Sequence, residues 1–323
     1  MTARKHHYIP QCYLKGFARH ADRPQLFVID FKSRNSFRAS TEKIAAKRDF
    51  HTIEAEGVAP DEFENKLSGF ETELSQALEK ISRARSIMSF DERALLFNLV
   101  ALLAVKNPSH RESFRLAHEQ MMKRILLLAT ATRERWEAQI RHMKADGSIE
   151  SDSNPDYEEM RKFVERDAYS IHLRPGRHLQ LEMGVYDKIL PLIFNRKWVL
   201  LRAPSSGTGF LTSDHPVCIS WSDPARRSQW HGPGLGSPRS ELLFPITNDL
   251  AMIGAFEVKE NERDADERLI AQVNGCIIAH AERQIYARDK DFIYRMTHNT
   301  RIKRGTELLR EAALARTSTP KPS

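Results

Sequence analysis

The spacing of hydrophobic and polar positions changes twice along the chain, from a period near two to helical and back again. Residues 25–30 (Gln-Leu-Phe-Val-Ile-Asp) are short, β-branched and aromatic, which predicts a strand. Asn35-Ser-Phe-Arg38 supplies its hairpin partner across a turn at 33–35, and a further short strand is expected over 50–54. From Pro60 the spacing becomes helical. Phe63, Leu67, Phe70, Leu74, Leu78 and Ile81 recur every three or four residues behind an acidic first turn, which the helix dipole favours. A second helix starts at Ser89, with Glu92 at capping-box spacing. Its body, 95–105, is apolar nearly all round, so burial on every side is expected. One long helix is expected over 109–143, with Phe114, Met121, Ile125, Leu128, Trp136 and Ile140 inward. A polar loop at 146–155 precedes helices over 156–172 and 176–194.

Strand character returns at Lys197. Residues 198–202, 209–212, 217–221, 241–246 and 250–254 read as strands divided by turn chemistry, with a long Gly/Pro/Ser-rich loop over 223–240. An amphipathic helix over 263–283 and closing strands at 285–286 and 292–294 follow. The expected fold class is α+β: a mixed or mostly antiparallel sheet formed by N-terminal and C-terminal segments, 1–60 plus 196–300. The helices of 61–195 form a large insertion in it, and 301–323 is a helical end with a disordered tail from Thr317.

Bulk composition narrows the class. With 323 residues, 41% hydrophobic and 29% charged, the chain can bury a substantial core. No apolar run reaches the length of a membrane span, and no apolar stretch follows the early basic residues, so neither a membrane partner nor a secretory signal is expected. Three scattered cysteines do not make a disulfide framework or a zinc knuckle, so no metal site is assigned and a reducing, cytoplasmic setting is expected. Fifty basic against forty-three acidic residues give a net charge of +7, which makes nucleic acid or another polyanion a plausible partner.

The densest chemistry lies at the start: Lys5-His6-His7-Tyr8-Ile9-Pro10-Gln11-Cys12-Tyr13-Leu14-Lys15-Gly16-Phe17. Pro10 disfavours helix at Ile9, so His6 and His7 are expected in an extended segment, pointing to opposite faces. Leu14 and Phe17 read as core anchors. Downstream, Thr212-Ser213-Asp214-His215-Pro216 forms a corner between strands, where Asp214 either presents a carboxylate or closes a turn. Asn107-Pro-Ser-His-Arg111 opens a helix, where the free amides and the basic pair with Arg111 either hold an anion or amount to a cap and a surface arginine. Asn274 is polar on an apolar helix face; if buried, its partner should be loop backbone or the Asp214 corner.

These residues carry a resemblance. His6-His7-Tyr8-Ile9-Pro10-Gln11 with Tyr13-Leu14 and Phe17, then Thr212-Ser213-Asp214-x-Pro216, Phe244-Pro245-Ile246 and Asn274, resembles the bacterial family known as domain of unknown function 4238, across roughly 5–290. The resemblance implies one shared site of His6, His7, Tyr8, Gln11, Asp214 and Asn274, and implies no activity. Two functions follow as expectations. In the first, a nucleic-acid-interacting phosphodiesterase uses His6 or His7 as acid or base, Asp214 to orient that imidazole or hold a divalent metal, and Arg111 on the phosphate, with Tyr8, Gln11 and Asn274 binding substrate. In the second, a non-catalytic binding or regulatory protein uses the His-His-Tyr motif structurally.

Overall fold

The computed structural model describes residues 5–20, 22–48, 62–171, 175–205, 207–223, 232–296 and 301–310. The strand expected over 50–54 and the tail from Thr317 lie outside these residues. The chain divides into two compact units, one of residues 1–107 with 179–323, the other of residues 108–178.

In the first unit, β1 (Lys5–His7) is extended, as expected, and pairs antiparallel with β4 (Ala46–Arg48). A five-residue helix, α1 (Gln11–Lys15), follows at once. The predicted hairpin is β2 (Gln25–Asp30) and β3 (Asn35–Ser40), in register from Gln25↔Ser40 to Asp30↔Asn35, with Arg34 at φ 54° in the turn. A 3-10 turn, Thr41–Lys43, leads into β4.

Helices α2 (Glu62–Ala84) and α3 (Phe90–Val105) pack on one another and belong to this unit. The Ser89 hydroxyl accepts from the Glu92 N–H and the Glu92 carboxylate accepts from the Ser89 N–H, completing the capping box. Leu96, Phe97, Leu99, Val100, Leu102 and Leu103 of α3 are all buried, as an all-round apolar helix requires. The helical insertion drawn over 61–195 is therefore not where the chain divides. The apolar stripe of α2 (Leu74, Leu78, Ile81) and most of α3 share one core with Leu26, Val28, Leu200, Phe244 and Met252 of the strands, and only 108–178 stands apart.

Two sheets complete the first unit. One has the order β10-β5-β9-β8-β7, from β5 (Lys197–Arg202), β7 (Cys218–Trp221), β8 (Ser240–Thr247), β9 (Leu250–Ala255) and β10 (Asn261–Asp264). It is antiparallel except for the β10–β5 pair, which is parallel. The other runs β3-β2-β11-β6, with β6 (Thr212–Ser213) and β11 (Gln284–Ala287), all antiparallel. This second sheet is the expected union of N- and C-terminal segments in an α+β fold. A short pair, β12 (Ile293–Tyr294) with β13 (Lys303–Arg304), lies beyond. Helix α8 (Glu267–His280) packs on β6, β7 and β12. Gly275 lets it approach closely, since a Cβ there would sit 2.0 Å from the Arg295 carbonyl oxygen.

Helix α7 (Pro175–Phe194) ends in this core through Ile189 and Ile193. Just after it, Arg196 is fully buried. Its guanidinium donates to the carbonyls of Leu235, Ser240 and Gly254 and to the Ser240 hydroxyl, and lies 4.5 Å from the Phe256 ring centre.

The second unit holds α4 (Pro108–Ala129), α5 (Arg133–Ala145) and α6 (Tyr157–Arg166). The single helix expected over 109–143 is two, because Thr132 turns extended and caps α5 by accepting from the Arg135 N–H. Trp136 and Ile140 are buried with Tyr157, as expected. Phe114, Met121, Ile125 and Leu128 are not; they stay exposed on α4.

Tyr13 fastens α1 to the sheets. Its ring stacks on Phe244 at 5.3 Å, and its buried hydroxyl donates to the Pro245 carbonyl at 2.7 Å and pairs with the Thr212 hydroxyl at 2.8 Å. Tyr13→Phe keeps the ring and strands both partners, so it should cost about 1–3 kcal/mol in urea unfolding with an unchanged slope. Wild-type stability would show that the hydroxyl contributes nothing.

Candidate functional site

Asp214 follows β6, and its carboxylate meets the segment linking α8 to β11. Oδ1 accepts from the Glu282 N–H at 3.0 Å, and Oδ2 accepts from the Arg283 and Gln284 N–H groups at 2.8 and 3.0 Å. The Asp214 N–H returns a bond to the Gln284 carbonyl at 2.9 Å. The residue is 9% exposed. The local turn expected of Asp214 is not what its carboxylate makes: it bonds the backbone of another chain segment rather than its own.

A second carboxylate, which sequence reasoning missed, lies beside it. Asp30 Oδ1 accepts from the backbone N–H groups of Lys32 and Ser33, and its Oδ2 accepts from Arg283 Nε at 2.7 Å and Gln284 Nε2 at 2.6 Å. The amide of Gln284 is fixed at its other end by the Tyr286 hydroxyl, which donates to Oε1 at 3.0 Å. Tyr286 in turn shares a hydrogen bond with Tyr8. Tyr8 thus joins the chain's opening motif to Asp30, through phenol, phenol, amide and carboxylate. Burial pushes the Tyr8 hydroxyl up to about 12, with the Asp214 charge adding to the rise.

The histidines take another place. His6 is buried in β1 opposite Lys47, and His7 is half-buried opposite Ala46. His7 Nε2 donates to the Glu42 carbonyl at 3.2 Å, its Nδ1 accepts from the Gln11 amide at 3.5 Å, and its carbonyl accepts from the buried Lys106 ammonium at 3.2 Å. These partners suit one ring tautomer and hold β1 to the 3-10 turn, α1 and α3. Asn274 is fully buried and saturated. Its Oδ1 accepts from the Leu211 N–H, and its Nδ2 donates to the Gly209 and Ile293 carbonyls. It bonds loop backbone, one of the two partners foreseen, and has no surface for a substrate. Arg111 lies on α4, in the second unit.

Beside Tyr8 is a cleft of about 560 Å³, lined by Phe37, Arg38, Ser40, Lys43 and Arg283 among others. It brings three cationic side chains, one phenol and one partly exposed ring to a common wall. Arg283 enters it from the Asp30 pair with its side chain 56% exposed. No residue type at 37–43 marks this cleft in sequence; only the hairpin and the fold-back assemble it.

The two carboxylates titrate in opposite senses. Burial raises Asp214 from 3.8 to about 6, outweighing the three backbone donors that favour its ionised form. A folded-state value above the unfolded one means that its contribution to stability is complete below about 4 and declines as pH rises through 6. Burial also acts to raise Asp30, but the bonds from Ser33, Gln284 and Arg283 win and lower it. Its contribution is therefore present above the ordinary value and is lost as pH falls through the folded one. Asp214→Asn, which replaces an acceptor by a donor facing these N–H groups, should cost about 3 kcal/mol in denaturant unfolding. Carbon-13 NMR should place the wild-type Asp214 midpoint near 6. A change under about 0.5 kcal/mol, the scale of an ordinary surface substitution, would contradict the structural role.

No curated protein and no solved structure gives a significant match to the chain. A family match covers residues 5–291, which includes the opening motif, both carboxylates, the cleft and Asn274. By that coverage the chain belongs to the family described as Protein of unknown function (DUF4238).

Proposed function

We propose that the protein is a non-catalytic binder of phosphate-bearing polymers, with a single nucleic-acid strand as its ligand, that Tyr8 lines the binding wall, and that the two histidines serve structurally in β1. The observation that carries this reading is the cleft in which Arg38, Lys43 and Arg283 converge beside Phe37 and Tyr8. Cations neutralise phosphates and release their counterions. An aromatic ring next to them gives a base a face on which to stack, whatever its sequence. Phe37 is 38% exposed, open enough for that contact.

The phosphodiesterase reading finds less support in Asp214 and His7. A base must have a lone pair directed at substrate. Asp214 instead directs both oxygens at backbone N–H groups, and His7 has a protein partner at each ring nitrogen.

Fluorescence anisotropy with a labelled single-stranded oligonucleotide at several salt concentrations tests the proposal. Wild-type affinity should fall steeply with salt, and Arg38→Glu/Lys43→Glu should weaken binding at least tenfold and flatten the salt slope by roughly one per cation removed. Phe37→Ala should lose about 1–3 kcal/mol of stacking. Salt-independent or absent binding would refute the reading. Magnesium-dependent cleavage that disappears in His6→Ala/His7→Ala would restore the nuclease.

A further inference from the structure

Apart from the cleft, two thiols and an imidazole converge at the junction of β7 and α8. Cys218 opens β7; Cys276 and His280 lie one turn apart on one face of α8, which packs against that strand. One donor atom of each, two Sγ and one ring nitrogen, lie within 4.8 Å of one another. None of the three lines the cleft or bonds to Asp214 or Asp30.

We propose that Cys218, Cys276 and His280 form a three-donor site for a thiophilic divalent ion, zinc. Zinc–sulfur bonds near 2.3 Å and zinc–nitrogen bonds near 2.0–2.1 Å put tetrahedral donors roughly 3.6–3.8 Å apart. Cys276 Sγ already lies 3.8 Å from His280 Nδ1, so closure on an ion needs only small side-chain rotations. The second shell is also in place. His280 Nε2 lies 3.0 Å from the Ile219 carbonyl, next in sequence to Cys218. A bond donated there fixes the ring with Nδ1 on the side of Cys276 Sγ, the way ligating imidazoles are ordinarily held. On binding, Nδ1 gives up its contact with the Cys276 carbonyl, now 2.9 Å away, releases the proton it donates there to solvent and coordinates through its lone pair. Both thiols release their protons to solvent, and two thiolates balance the charge of the ion. Cys218 is buried, whereas Cys276 and His280 are partly exposed, so a fourth position remains for water.

Sequence pattern hides this site because the cysteines stand far apart in the chain. The one local trace is Cys-x-x-x-His at 276–280, a spacing that shares a helix face.

Metal-stripped, reduced full-length protein titrated with zinc against a chromophoric chelator should bind one equivalent per chain. Cobalt in its place should give a thiolate charge-transfer band with the intensity of two sulfurs. Cys276→Ser and His280→Gln, both on the accessible side of α8, should each weaken zinc binding at least tenfold while keeping the wild-type circular dichroism. Cys12→Ser, on α1, should bind as wild type does. Absence of stoichiometric binding would overturn the site, as would unchanged affinity in Cys276→Ser or a Cys218–Cys276 disulfide in anaerobically purified protein. Oligonucleotide binding by these variants should match wild type, so failure here is separate from failure of the cleft.

Discussion

One carboxylate accepting three successive backbone N–H groups fixes the arrangement on which the site depends. The segment from Glu282 to Gln284 leaves α8 and begins β11, and its amides have no ladder partners on this side. Asp214 supplies them from the far end of β6. The bond returned by its own N–H sets Gln284 beside it and so sets the register Ile285↔Ser213. The same segment pairs across β11 with β2, at Gln284↔Asp30. Two carboxylates thus grip one turn, Asp214 by its backbone and Asp30 by its side chains. A buried group that satisfies several donors at once stiffens its surroundings, because each donor would otherwise be desolvated without a partner.

The gripped turn decides what the opening motif can do. Tyr8 reaches Tyr286 on β11, so residues at the two ends of the matched region share one hydrogen-bonded path. Tyr13 makes a second bridge, to Thr212 and Pro245. Between these anchors, β1 is held against β4 and His7 is bonded to the 3-10 turn. The density of polar and aromatic groups at the N-terminus is then the density of a joint, and the cleft is the space the joint leaves beside the hairpin. Arg283 bonds Asp30 through Nε, and its side chain stays 56% exposed at the cleft.

Much of the architecture was legible, and the failures have identifiable causes. Strand β2, the hairpin, the Ser89 capping box and the union of terminal segments in one sheet follow from periodicity and turn chemistry, which are local. The single helix over 109–143 failed because Thr132 is an N-cap inside a continuous helical pattern, and a cap depends on backbone conformation that pattern does not encode. The division at 61–195 failed because α3 is apolar all round, a sign of burial that does not say against what. At the site, Tyr8 of the opening motif does come near Asp214, while the histidines bond elsewhere and the roles were not legible. Asp214, His7 and Asn274 carry chemistry-bearing groups, yet their partners are backbone atoms, invisible to residue identity. Asp30, Arg283 and Gln284 sat unremarked at a strand end and a helix exit, where only the pairing of β2 with β11 makes them neighbours.

Native-state hydrogen exchange at the amides of Glu282, Arg283 and Gln284 tests the central interaction most directly. These N–H groups lie at a helix exit, where exchange is ordinarily fast. If the Asp214 carboxylate holds them, they should exchange only through global unfolding, as slowly as the β8–β9 ladder, and should lose that protection together in Asp214→Asn. Rapid exchange in the wild-type protein, or protection that persists without the carboxylate, would contradict the account.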